Sequence, residues 1–203
     1  LENKDSIILD IETEGLFNHA NKMVMLILSD SINTYVIDTR VINISILKNR
    51  LERMLIIGQN LKFDYKFLKY YGIEFNNIYD TMLTEVILTN GKGINCSLES
   101  ICKRYLDVDL NKSITMQFTK LGGKPFTLDQ IIYGVEDTVH LYKIKELQKK
   151  GLDDWLLNPI CVLENKACLA LADIEYNGFL FDKEAWISLS KEVEINLITY
   201  KSE

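Results

Sequence analysis

Ser6-Ile7-Ile8-Leu9-Asp10-Ile11-Glu12 decides the fold class, because it is a short, continuous apolar run that ends in two carboxylates. Such a run reads as a continuous apolar strand, Ser6 to Ile11, running into Asp10 and Glu12. Residues two apart in a strand point the same way, so Asp10 and Glu12 share one face at its end. Met23 to Ser29 reads as a second strand and Thr34 to Ile37 as a third, with Asp30-Ser31-Ile32-Asn33 a turn short enough for a hairpin. These three strands are therefore neighbours in one sheet. Ile42 to Arg53 reads as helical and Leu55 to Gly58 as a short buried strand. Asn60 is placed to cap a helix carrying Phe63, Phe67, Tyr70 and Tyr71 before Gly72. The alternation of strands and helices means an α/β fold.

Downstream the pattern is helical. Asp80 to Leu88 and Ser97 to Leu106 are helices, the second capped by Ser97, with Asn90-Gly91-Lys92-Gly93 a flexible turn between them. Lys120-Leu121-Gly122-Gly123-Lys124-Pro125 lacks the Walker spacing of a phosphate cradle and reads as a connector whose lysines could touch a nucleic-acid backbone. Thr127 to Lys150 reads as one helix, with Thr127 and Gln130 spaced as a capping box and Gly151 placed to end it. Leu128, Ile131, Ile132, Val135, Val139 and Tyr142 form one apolar stripe. Tyr133, Asp137, Leu141 and Ile144 form a second, so this helix is expected to be covered on two sides. A carboxylate on such a face needs a partner, a hydrogen bond or a metal. After Gly151, Trp155 to Glu175 is helical, Asn177-Gly178 is a turn and Phe179-Leu180-Phe181 is a short strand. Asp182 caps a last helix. A boundary near residues 151 to 158 divides the expected domain 1–152 from a truncated unit, 153–203.

The chain has 203 residues, 47% of them hydrophobic and only two of them proline, enough for one ordinary globular domain and an appendage. Its start carries neither a signal-peptide pattern nor an initiating Met, which suggests a piece of a longer protein. No apolar run is long enough to span a membrane. Four cysteines without CxxC spacing point to reduced thiols in a cytoplasmic protein, not to a zinc site. A net charge of -6 argues against broad duplex binding. It is compatible with carboxylates gathered in one cleft for a metal-dependent phosphodiesterase.

Four acidic positions lie where an α/β sheet would bring element ends together: Asp10, Glu12, Asp64 in the first turn after the fourth strand, and Asp137. Each alone has a plain structural reading. Asp64 could simply be a charge favourable to a helix N-terminus, Asn60 a cap, and Tyr133 with Asp137 a buried hydrogen-bonded pair. The combination is more specific. Leu9-Asp10-Ile11-Glu12-Thr13-Glu14-Gly15-Leu16, Gly58-Gln59-Asn60-Leu61-Lys62-Phe63-Asp64 and Tyr133-Gly134-Val135-Glu136-Asp137 resemble the three exonuclease motifs of the DEDDy group. Within that group the sequence is similar to the 3'-5' proofreading domains of family A DNA polymerases. Tyr79-Asp80-Thr81-Met82-Leu83 and Ser97-Leu98-Glu99-Ser100 resemble the helices between the second and third motifs. Ile174 to Asp182 resembles the opening of the polymerase domain.

The resemblance implies a ribonuclease-H-like, mixed five-stranded sheet flanked by helices and followed by a short helical segment. It implies two divalent cations, Mg²⁺ or Mn²⁺, held by Asp10, Glu12, Asp64 and Asp137. Tyr133 resembles the group that orients the attacking water. Leu16 resembles a wedge against the terminal bases, and Asn60 a residue beside the substrate strand; a core leucine and a helix cap are the alternatives. The implied activity removes dNMP from the 3' end of single-stranded or frayed DNA, with a polymerase domain in the same parent chain. An RNase-D-like exoribonuclease shares the motifs, and a metal-free module that binds single strands is the alternative from another class.

Overall fold

The computed structural model describes residues 4–30, 32–110, 118 and 121–202. Five strands, β1 (Ser6–Thr13), β2 (Met23–Ser29), β3 (Thr34–Asp38), β4 (Leu55–Gly58) and β5 (Ile78–Asp80), form one sheet in the order β3-β2-β1-β4-β5. The β1–β2 and β2–β3 pairs are antiparallel, and β1–β4 and β4–β5 are parallel. Every residue of β2 is buried, as a strand covered on both faces requires. The β2–β3 hairpin agrees with the sequence reading. The Ile42 to Arg53 segment is shorter than expected, with one 3₁₀ turn at Ile44–Leu47 and a single helical turn, α1 (Lys48–Leu51).

Alternation along β1 sorts the two layers. Ile7, Leu9 and Ile11 join a core with Leu61, Tyr65 and Leu68 of α2 (Leu61–Tyr70). Ile8 faces the other way, into a core with Leu98 and Ile101 of α4 (Leu98–Leu106). Asp10 and Glu12 follow Ile8 on that second face. The remaining helices before α8 are α3 (Thr81–Leu88), α5 (Leu128–Val139), α6 (Leu141–Asp154) and α7 (Asn158–Asn177), the last of which runs past Asp173. The chain divides into two compact units, Leu1–Asp173 and Ile174–Glu203, and α8 (Lys183–Ser202) lies in the second. No helix among the described residues is long and apolar enough to cross a membrane.

Several local expectations are corrected. The Thr127 to Lys150 run is two helices, parted at His140, although its capping box forms as expected. Near the break the Thr138 hydroxyl donates to the Val135 carbonyl at 2.8 Å, a side-chain competitor for the helix ladder. α5 packs on β1 and β2, and α6 packs on α3 and α4, so one straight axis would not serve both. The helix is not covered on two sides, either. Tyr133, Gly134 and Thr138 are buried, whereas Leu128 is 70% exposed and Ile132 and Val139 are also exposed. Gly151 lies inside α6, where an added Cβ would stand 3.0 Å from Leu88 Cδ2, so it serves the α3–α6 approach and does not end the helix. Phe179-Leu180-Phe181 forms no strand and is exposed.

Asn60 does not cap α2 with its side chain. It takes a left-handed φ of 60°, and the acceptor for that helix start is Asp80, whose carboxylate receives the Asn60 N–H at 3.1 Å and the Leu61 N–H at 2.8 Å. The β4–α2 turn is tight at Gly58, where an added Cβ would lie 2.9 Å from the Leu9 carbonyl oxygen, a backbone atom that cannot swing away. Gly58→Ala is therefore expected to destabilise the fold by about 1–3 kcal/mol, the usual cost of overpacking. Thermal unfolding checks this, and an unchanged melting temperature would show that the β1–β4 contact has slack.

Candidate active site

Asp10 and Glu12 on β1 meet Asp137 on α5, each offering a carboxylate oxygen such that the three lie within 4.8 Å of one another. Glu12 is 9% exposed, and the other two are half-buried. The helix reaches the strand because of Gly134, one turn before Asp137. A Cβ there would stand 3.2 Å from Ile27 Cδ1 and 3.3 Å from Met25 Sδ of β2. Glycine inside a helix costs roughly 1 kcal/mol against alanine, and here it is exchanged for close approach to the sheet.

Asp64 comes from the opposite layer. It sits in the first turn of α2 and is 3% exposed, and the Ile11 backbone amide stabilises its charged form. Burial pushes its carboxyl well above the ordinary carboxylate range, and the negative charge of Asp10 pushes it the same way. Asp64 is thus within electrostatic reach of the β1 acids, although it is not one of the three whose oxygens converge.

Tyr133 lies on the sheet side of α5, 5% exposed, with its ring centroid 6.2 Å from that of Phe118 and Met25 and Ile27 in the same cluster. Leu16 is 77% exposed in the loop after β1, so it is no core leucine. Asn60, as shown above, is no side-chain cap. In the glycine-rich loop Lys124 is exposed and its carbonyl accepts from Arg40 at 2.8 Å, while Lys120 lies outside the described residues. Two contributors escaped the sequence reading. In the sequence Gly134 is one letter of a motif, and Asp80 is a helix start within the stretch Tyr79 to Leu83. The visible signal for Asp80 was an acid between a strand and a helix, which announces a cap for its own helix but not for another.

The first 152 residues match the family model described as 3'-5' exonuclease. The chain belongs to the 3'-5' exonuclease family. It is 28% identical over 213 residues to DNA polymerase I of Aquifex aeolicus (strain VF5), a match covering 96% of this chain and 35% of that protein. The chain therefore spans about a third of that relative's length. Among solved structures, Brucella melitensis NrnC aligns with a TM-score of 0.76 at 20% identity, over 87% of each chain, and has also been solved with bound Mg²⁺. Escherichia coli RNase D, an exoribonuclease involved in structured RNA processing, aligns with a TM-score of 0.74 at 18% identity, covering 93% of this chain and 49% of that one. These likenesses show the fold, and the mixed five-stranded sheet flanked by helices is the ribonuclease-H-like arrangement expected of the exonuclease family.

The donor set suits a hard divalent cation. Oxygen ligands about 2.0–2.6 Å from an ion can stand up to about 5 Å apart, and three carboxylates spanning 4.8 Å fit that envelope. Without a cation the same acids repel one another, and Asp64 adds a buried charge. Asp64→Asn keeps the shape and deletes the charge, so it is expected to raise the melting temperature in EDTA. The unmodified chain is expected to gain from Mn²⁺, by about 2.7 kcal/mol at 100 times the dissociation constant, and Asp64→Asn to gain less. A thermal scan in EDTA and in saturating Mn²⁺ decides this; identical melting in both, together with a loss in the variant, would remove the metal site.

Proposed function

We propose that this chain is a metal-dependent exonuclease that removes 3'-terminal nucleotides from single-stranded or frayed DNA and serves as the proofreading part of a DNA polymerase. The observation that carries the reading is the convergence of Asp10, Glu12 and Asp137 within 4.8 Å, with Asp64 buried near enough for the charge of Asp10 to act on it. The similarity to a DNA polymerase I over 96% of the chain favours DNA as the substrate class. In this reading residues 1–152 form the exonuclease domain and 153–203 open a polymerase segment.

Asp10, Glu12, Asp64 and Asp137 would hold two divalent cations, Mg²⁺ or Mn²⁺. When bound, such ions supply Lewis acidity that yields hydroxide near neutral pH and stabilises the leaving 3' oxygen. The protein's own share is placement. Tyr133, wedged by Phe118 and buried on the face that carries Asp137, has little freedom to turn and would orient the attacking water through its hydroxyl. Leu16, exposed where β1 ends, would lie against the terminal bases, and Asn60 would line the path of the strand. A site of this kind acts on an unpaired end, because separating terminal pairs costs a few kcal/mol.

The test is a 5'-labelled single strand and an RNA of equal sequence, each with and without Mg²⁺. The expected result is a descending ladder on DNA with dNMP released, slow attack on a blunt duplex, and nothing in EDTA. Equal or faster loss of RNA would favour the RNase-D-like reading, and internal cuts would dismiss an exonuclease. Tyr133→Phe removes one hydroxyl and is expected to lower the single-turnover rate about 10²-fold with strand affinity unchanged. An unaltered rate would leave Tyr133 a packing residue.

A further inference from the structure

Two helices, α2 and α3, start from one carboxylate. Asp80, 1% exposed at the end of β5, accepts on Oδ1 from the Asn60, Met82 and Leu83 N–H groups at 3.1, 2.9 and 3.2 Å, and on Oδ2 from the Leu61 N–H at 2.8 Å. Helix starts leave N–H groups without partners and carry positive potential, so one buried carboxylate serves two of them well. Asp80 is itself held. Its N–H donates to Asn165 Oδ1 of α7 at 2.9 Å, and Asn165 Nδ2 is anchored on the Cys161 carbonyl at 2.8 Å. The neighbouring Thr81 hydroxyl donates to the Gly58 carbonyl at 2.9 Å, which ties the start of α3 to the end of β4.

The α2 side of this arrangement exceeds what capping alone asks for. Asn60 sits at a φ of 60°, a left-handed conformation that non-glycine residues adopt at a cost, and Asp80 holds the N–H of that residue. The turn delivers the chain into Leu61, and Asp64 follows three residues later in the same first turn. Any shift at Asn60 or Leu61 moves Asp64 with it. We propose that Asp80 is the positioning residue for Asp64: its carboxylate fixes where α2 begins and so how far the Asp64 side chain reaches toward Ile11 and Asp10. Asp80 acts through the backbone of α2 and not on the substrate. The proposal rests on the reading of Asp64 as one of the metal-holding acids.

Asp80→Ser separates capping from positioning. Serine keeps one N-cap acceptor for its own helix, α3, but lacks the second oxygen that takes the Leu61 N–H, and so gives up the two-oxygen hold on the start of α2. Asp80→Asn retains the shape and one acceptor oxygen and carries the same comparison should the serine variant not fold. Leu98→Ala, in the buried core of α4, supplies a loss of stability remote from α2. Each protein is titrated with MnCl₂ in a thermal-shift assay, and kcat and KM are measured on a labelled single strand. Asp80→Ser is expected to raise the half-saturating Mn²⁺ concentration about tenfold and lower kcat about tenfold, as for loss of a group that orients a ligand, while KM stays within about twofold. Asp80→Asn should fall between it and the unmodified chain, and Leu98→Ala should lower the melting temperature alone. Wild-type midpoint and kcat in both Asp80 variants, or an equal change in Leu98→Ala, overturns the positioning role. A parent chain that gains no stability from Mn²⁺ overturns the reading of the acid site itself, and this proposal with it.

Discussion

Repulsion among the carboxylates of Asp10, Glu12 and Asp137, whose oxygens lie within 4.8 Å, is the constraint around which the first unit is arranged. Like charges at that distance separate unless a cation joins them or the framework resists. The framework here is a strand buried on both sides and a helix lowered onto it at a glycine. Neither element can retreat without opening apolar cores that include Ile8, Met25, Ile27 and Tyr133. The hydrophobic layers thus bear the electrostatic cost of holding three acids together.

The start of α5 is held from outside the site. Arg40 forms a paired contact with Asp38 at 2.8 and 2.7 Å, donates to the Lys124 carbonyl, and stands over the Phe126 ring at 4.3 Å from its centroid. Phe126 is followed by Phe118 and then Tyr133 in a chain of ring contacts of 6.4 and 6.2 Å. A single guanidinium at the sheet edge therefore anchors the loop, the helix start and, through aromatic packing, the tyrosine one turn from Asp137. Where α3, α4 and α6 meet, Glu85 is buried at 1% exposure yet well supplied. Arg104 pairs with it, and Gln148 donates to it at 2.9 Å, so a charge from α3 joins α4 and α6. Removing either partner would leave that charge exposed to the cost of burial.

Much of this was legible in the residues. The runs Ser6 to Ile11, Met23 to Ser29 and Leu55 to Gly58 appear as strands because a short apolar run flanked by turn chemistry has few other solutions. The Thr127 and Gln130 box formed because its donors and acceptors are local, within one helical turn. Ser97 and Asp182 cap their helices for the same reason. The acids at positions 10, 12 and 137 are singled out by the combination of motifs that resembles a known family, and the structure brings those three together.

Interactions between segments were not legible. Periodicity gave the α5–α6 run two apolar faces and could not say that the sheet takes the one with Tyr133 while Leu128 stays in solvent. Nor could it show that Asn60 would yield its cap to Asp80, twenty residues on, because capping read from sequence sees only neighbours along the chain. Gly151 looked like a helix stop until Leu88 supplied a reason for its missing Cβ. The sequence by itself determined four of the five strands and the caps that are local, all set by chemistry within a turn or two of backbone. Only the tertiary structure decided which face of α5 is buried, which carboxylate starts α2, and how near Asp137 comes to β1, because each depends on distances between residues that are far apart in the chain.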